Sequence, residues 1–144
     1  MSEMLGNQYF MARNYLKAVK ELEPVYNTNS TNKGVIRKLI ICYVQINKID
    51  KGFNIFYLLV KEDVKFIIDA DPIFDDCPCP EILKEFKKTE VSPFGEKSNL
   101  ANGILWLYCD SKKSIDFLEK ASKEYPTNNK IKEVIEIITN HISS

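Results

Sequence analysis

Apolar residues recur by threes and fours through most of this chain, and polar breaks of two to six residues separate the runs. One stripe passes over Leu5, Tyr9 and Ala12 and the next over Tyr15, Ala18, Val19, Leu22 and Val25, with Arg13-Asn14 between them. Spacing of that kind is what a helix needs to bury one face. A two-residue break leaves room only for an antiparallel turn. The pattern predicts helices over about 3–12 and 15–26, with a kink or an early end at Pro24, because proline lacks an amide donor and crowds the preceding turn. The polar run Asn27 to Asn32 is a loop, and Thr31 or Asn32 caps the following helix.

Two more helices follow. One is predicted over 33–46, burying Ile36, Leu39, Ile40 and Tyr43. The next is predicted over 51–60, capped by Asp50 and apolar nearly all round (Phe53, Ile55, Phe56, Tyr57, Leu58, Leu59, Val60). A helix without a wide polar face is covered on two sides, which makes this one the expected centre of the fold. Val64 to Ile68 reads as its end or as a short helical turn. Pro72, Pro78 and Pro80 preclude a continuous helix across that part of the chain, whereas Glu81 to Lys88 is again helical with Pro80 at its first turn. A loop over 89–98 precedes helices over about 99–108 and, capped by Asp110 or Ser111, up to Tyr125. A last helix over 129–141 carries Ile131, Val134, Ile135 and Ile138 on one side.

The first helix pair returns. Leu5, Tyr9, Ala18, Leu22 and Val25 are followed, each after 34 residues, by Leu39, Tyr43, Gly52, Phe56 and Leu59. A third copy keeps the internal spacings at Ala101, Leu105, Ser114, Leu118 and Ala121 and closes on Pro126, with some 28 residues inserted before it and Asn102 where the first copy has Gly6. In length and in its order of small, aromatic and apolar positions this unit resembles the tetratricopeptide repeat. The resemblance covers about residues 1–62 and 95–127.

That resemblance implies an all-α fold of antiparallel helix hairpins, stacked as a short right-handed superhelix. Residues 1–144 form a single domain in this reading: repeat-like pairs at about 3–28, 33–62 and 97–126, an irregular insert at about 63–96 and a capping helix at about 128–142. It also implies a concave face, lined by the first helix of each pair, that receives a peptide or a helix. By position in the repeat, the groove residues are Asn7, Phe10 and Met11, then Arg37, Ile41, Val44 and Gln45, then Asn99, Gly103, Trp106 and Leu107. Trp106, Phe10 and Met11 are the expected anchors, although Trp106 is also a candidate for plain core. Some members of the family clamp a C-terminal carboxylate. The chain matches that pattern at Asn7 but departs from it at Glu3 and Lys38, so a binder of that type is disfavoured. Arg37 and Lys38 remain able to attract an acidic segment.

Charge and chemistry narrow the picture slightly. Twenty basic and twenty acidic residues cancel, which argues against a nucleic-acid binder relying on bulk charge. Residues 1–60 nevertheless carry eight Lys or Arg against four acids, and 62–81 carry seven acids against one lysine. No apolar run is long enough to span a bilayer, so no membrane partner and a cytoplasmic setting are expected. Cys42, Cys77, Cys79 and Cys109 read as reduced thiols. Cys77 and Cys79, with Asp71, Asp75 and Asp76, form the one cluster able to hold a divalent ion. The Cys-x-Cys spacing lacks a second ligand pair, and a proline-stiffened loop with inward-packed cysteines is the preferred reading. His141, at a helix end, is explained by the helix dipole. Neither a phosphate loop, a dinucleotide fingerprint nor a metalloprotease helix is present. The expectation is therefore a non-catalytic protein-interaction module without a cofactor, binding an unknown protein or peptide. A self-associating homodimer is the alternative, and a metal- or thiol-dependent enzyme a third class.

Overall fold

The computed structural model describes residues 2–70 and 97–143. Seven helices and no strand occur among them: α1 Ser2–Met11, α2 Tyr15–Thr28, α3 Lys33–Gln45, α4 Ile49–Ile68, α5 Ser98–Trp106, α6 Ser111–Glu124 and α7 Asn129–Ser143. They divide between two compact units, Met1–Leu59 and Val60–Ser144. The helix expected over Glu81 to Lys88, the cluster Asp71, Asp75, Asp76, Cys77 and Cys79, and most of the second loop lie outside the described residues.

In the first unit, α1 folds back on α2, and α3 packs against both. The α1–α2 turn closes with Arg13 at φ 62°, where the Asn14 amide donates to Tyr9 O (2.8 Å) and the Arg13 amide to Phe10 O (3.0 Å). This reciprocal pair, around one left-handed residue, satisfies carbonyls the helix end would otherwise leave unpaired. The α3–α4 turn repeats it 34 residues on. Asn47 has φ 63°, the Lys48 amide donates to Tyr43 O (2.8 Å), and the Asn47 amide donates to Val44 O (3.1 Å). Side chains keep the period too: Lys17 Nζ lies 5.6 Å from the Tyr9 ring centre and Lys51 Nζ lies 5.2 Å from that of Tyr43. Tyr9 and Tyr43 hold the same place in their pairs.

Close approach of the paired helices depends on small residues. A Cβ on Gly6 would stand 2.6 Å from two carbons of Leu22, and one on Gly52 would stand 3.2 Å from Tyr43 Cβ. Within this unit α3 is the most enclosed helix, and α4 buries Phe53, Ile55, Phe56, Tyr57, Leu59 and Val60. Every residue from Val35 to Val44 except Lys38 is buried, whereas α4 exposes a stripe over Lys51, Asn54 and Leu58. Some local expectations change. Helix α2 runs through Pro24 to Thr28, since the carbonyl that Pro24 leaves without an amide belongs to exposed Lys20, where water can replace the missing bond. Asp50 sits inside the first turn of α4 rather than capping it. Asn32 caps α3, accepting from the Val35 amide at 3.2 Å. Phe53 to Val60 is helical, and α4 resumes over Val64 to Ile68 after a break at Asp63 (φ −160°, ψ 78°).

In the second unit α5 pairs with α6 and α6 with α7. Asp110 caps α6, accepting from the Lys112 (3.1 Å) and Lys113 (3.2 Å) amides. The α5–α6 turn contains no left-handed residue. Instead the Asp110 amide donates to Trp106 O (2.6 Å) and the Tyr108 amide to Leu105 O (3.2 Å). The register of α5 against its partner differs by one position as well. Gly103, not residue 102, takes the part of Gly6: a Cβ there would lie 2.6 Å from Leu118 Cδ2. Asn102 turns its amide back to Ser98 O (2.9 Å). Ser114 Oγ, fully buried, donates to Gly103 O at 2.6 Å, supplying a partner to one of the last carbonyls of α5. Helix α7 buries Ile131, Val134 and Ile138 and turns Lys130, Lys132, Glu133 and Glu136 outward.

Candidate interaction surface

Helices α1 and α3 carry seven of the eleven groove candidates, and their side chains separate into two groups. Phe10, Ile41 and Val44 are no more than 1 % exposed, because their helix faces are enclosed. Phe10 meets the Tyr15 ring edge-on at a centroid distance of 6.1 Å. Arg37 is also buried, at 9 % exposure, so reversing its charge would place a carboxylate in the core and would be a poor probe of binding. Met11 is exposed, and Asn7 and Gln45 are half-buried. In the second unit Trp106 is half-buried with Lys113 Nζ 4.3 Å from its ring centre, Asn99 donates to Glu124 Oε1 at 2.7 Å, and Gly103 and Leu107 are buried.

Polar bonds tie α1 to α3 and its cap. Lys38 Nζ donates to Asn7 Oδ1 at 2.9 Å and stands 5.9 Å from the Phe10 ring centre. Asn32 Nδ2 donates to Glu3 Oε1 at 3.0 Å. Asn7 is therefore engaged by the lysine of its own neighbouring helix. Gln45 Nε2 is buried and has no hydrogen-bond partner in the structure.

On the other side of α3, Tyr43 Oη donates to Glu23 Oε2, and Lys51 Nζ reaches the same oxygen at 3.3 Å. One carboxylate on α2 thus joins α3 to α4. The hydrogen bond from Tyr43, aided by Lys51, holds the Glu23 carboxyl below its ordinary range. Burial first, and then the hydrogen bond to Glu23 and its charge, raise the Tyr43 phenol. Burial also pushes the Cys42 thiol up to about 12, which makes it a small hydrophobe rather than a nucleophile.

Two features of the surface escaped the sequence pattern. One is Met4, 64 % exposed, which with exposed Gln8 and the expected anchor Met11, 62 % exposed, forms a stripe along α1. The other is the Glu23 bridge, for which the sequence signal was the recurrence of Lys17 as Lys51 in step with the two tyrosines. Among the described residues no group of three or more His, Cys, Asp or Glu side chains is placed to hold a metal ion, and no helix is long and apolar enough to cross a membrane. Comparison of the chain with family models, with curated proteins and with solved structures returned no match.

Proposed function

We propose that this chain is a non-catalytic protein-interaction module of the tetratricopeptide type, working in the cytoplasm without a cofactor. The observation that carries this reading is the 34-residue recurrence of an entire turn: the same two backbone bonds, the same left-handed residue, and the same lysine over the same tyrosine. Hairpins that stack by a fixed step present the first helix of each pair on a common side, and a helix or extended peptide is the partner such a side accepts. With Phe10, Ile41 and Val44 enclosed, the contact area moves to the outer part of α1, where Met4, Gln8 and Met11 are exposed. Methionines suit that task, because an unbranched, polarizable side chain adapts to its partner's shape.

The test is a photo-crosslinking amino acid placed at Gln8 and, as a control, at exposed Lys120. A discrete protein adduct from position 8 that Met4→Glu/Met11→Glu abolishes is the expected result. Equal, diffuse labelling from both positions would overturn the reading.

A further inference from the structure

We infer that the end of the first unit formed by its two tight turns docks on an anionic lipid surface. Helices α2 and α3 pack against each other and are joined by the short loop 29–32, so the α1–α2 and α3–α4 turns lie at the same end of the unit. Four cations stand there, with Asp50 the acid among them: Arg13 and Lys48 in the turns, and Lys17 and Lys51 in the first turns of α2 and α4. Glu23 engages Lys51. Among the described residues, however, neither Lys17 nor Lys48 has a carboxylate within ion-pair distance, and Lys17 Nζ meets the Tyr9 ring instead. The opposite end, where α1 and α3 begin, balances Glu3 with Lys33 beside an uncharged loop.

Apolar side chains are exposed at the same end. Met11 closes α1 and Leu16 is the second residue of α2, and they are 62 % and 56 % exposed with exposed Ala12 between them. Side chains lean towards the N-terminus of their helix, so Leu16 and Lys17 lean towards the turn. A partner helix packs along helix flanks, where ridges meet grooves. Groups at helix ends are met end-on, by a plane.

A lipid surface matches both features. Apolar tips enter the boundary between headgroups and acyl chains, while the long stems of lysine keep their ammonium groups at the phosphates. A free phosphate would answer the lysines but not the two exposed apolar side chains. Spanning a bilayer takes a long apolar helix, whereas docking on its surface does not. This inference goes beyond the protein-binding reading of α1 and does not rest on it, because Leu16, Lys17 and Lys48 lie outside that stripe.

The experiment is co-sedimentation of the full chain with vesicles of phosphatidylcholine alone and with about 30 % phosphatidylserine added, at low and high salt. Binding to the anionic vesicles alone, weakened by salt, is the expected result. Lys17→Gln/Lys48→Gln should weaken it about 25-fold, about fivefold for each lysine, while the charge-matched pair Lys112→Gln/Lys123→Gln on the exposed side of α6 changes it by less than about twofold. Circular dichroism checks that each variant is folded. Penetration is read by a tryptophan reporter in a Trp106→Phe background: emission from Leu16→Trp should shift to the blue on anionic vesicles, and emission from Leu58→Trp, on the exposed stripe of α4 away from the turns, should not. No binding to anionic vesicles, equal losses from the two lysine pairs, or no shift at position 16 would overturn the inference. A photo-crosslinker at position 16 that captures an acidic protein, with no vesicle binding, would assign this end to a protein and overturn it too. Capture of a protein from position 8 is independent of all these outcomes, so the interaction-module reading stands or falls separately.

Discussion

Gly103 lets α5 and α6 approach so closely that adding one methyl group carries a measurable cost. In Gly103→Ala the new Cβ would stand 2.6 Å from Leu118 Cδ2, 2.7 Å from Cγ and 3.3 Å from the Leu118 amide nitrogen. Leu118 is fully buried, so the leucine must leave its rotamer or the helices must separate by about 1 Å in a close-packed interior. Overpacking of that kind costs about 1–3 kcal/mol, against about 1 kcal/mol recovered because alanine favours the helix. The backbone nitrogen cannot rotate away, which places the net loss near 1–2 kcal/mol. For a chain of this length that lowers Tm by about 2–8 °C. Trp106, the single tryptophan, lies on the same helix and reports urea unfolding of this unit. Leu118→Ala alone costs about 2–5 kcal/mol. Combined with Gly103→Ala it should cost about 1 kcal/mol or more below the sum, because the shortened side chain makes room. Strict additivity, or a Gly103→Ala chain as stable as the parent, would refute the argument.

The remaining predictions address other contacts. Gly34→Ala, whose new Cβ meets only Asn32 Oδ1 at 3.5 Å, should be neutral or stabilising by up to about 1 kcal/mol in thermal melts. Tyr43→Phe should cost about 1–2 kcal/mol, reduced from a fully buried charged bond because the Glu23 side chain is 35 % exposed. Its pH dependence has a defined sign. The lowered Glu23 carboxyl contributes stability that is present above about 4.5 and lost as pH falls through its depressed value, and the raised Tyr43 phenol contributes stability present below 10 and lost as pH climbs beyond it. Melts of Tyr43→Phe from pH 3 to 11 should show both flanks flattened. Ser114→Ala leaves Gly103 O without its 2.6 Å donor and should lose about 1–2 kcal/mol by urea titration. Iodoacetamide at pH 8 should modify exposed Cys109 in native protein and reach Cys42 only after unfolding, as peptide mapping would show.

Much of the architecture was readable because a helix declares itself locally. Three-and-four spacing, Asn32 and Asp110 at helix starts and the 34-residue return of Tyr9 as Tyr43 depend on neighbours within one or two turns. Periodicity does not say how many sides of a helix are covered. For that reason the enclosure of α3 on nearly every side was not foreseen, and Phe10, Ile41 and Val44 were assigned to an open groove. Pro24 misled for a related reason: its missing amide matters little where the orphaned carbonyl faces water.

By itself, the order of residues determined the helices, their pairing through short turns and the step at which the first pair recurs, since backbone hydrogen bonding and short loops act over few residues. Only the packed structure decided which helix is enclosed, that Gly103 rather than its neighbour meets Leu118, and that Lys38 and Glu23 bind across helices. It also decided that Met4 and Met11 stay outside. Those outcomes depend on contacts between residues far apart in the chain, which spacing within a few turns does not report.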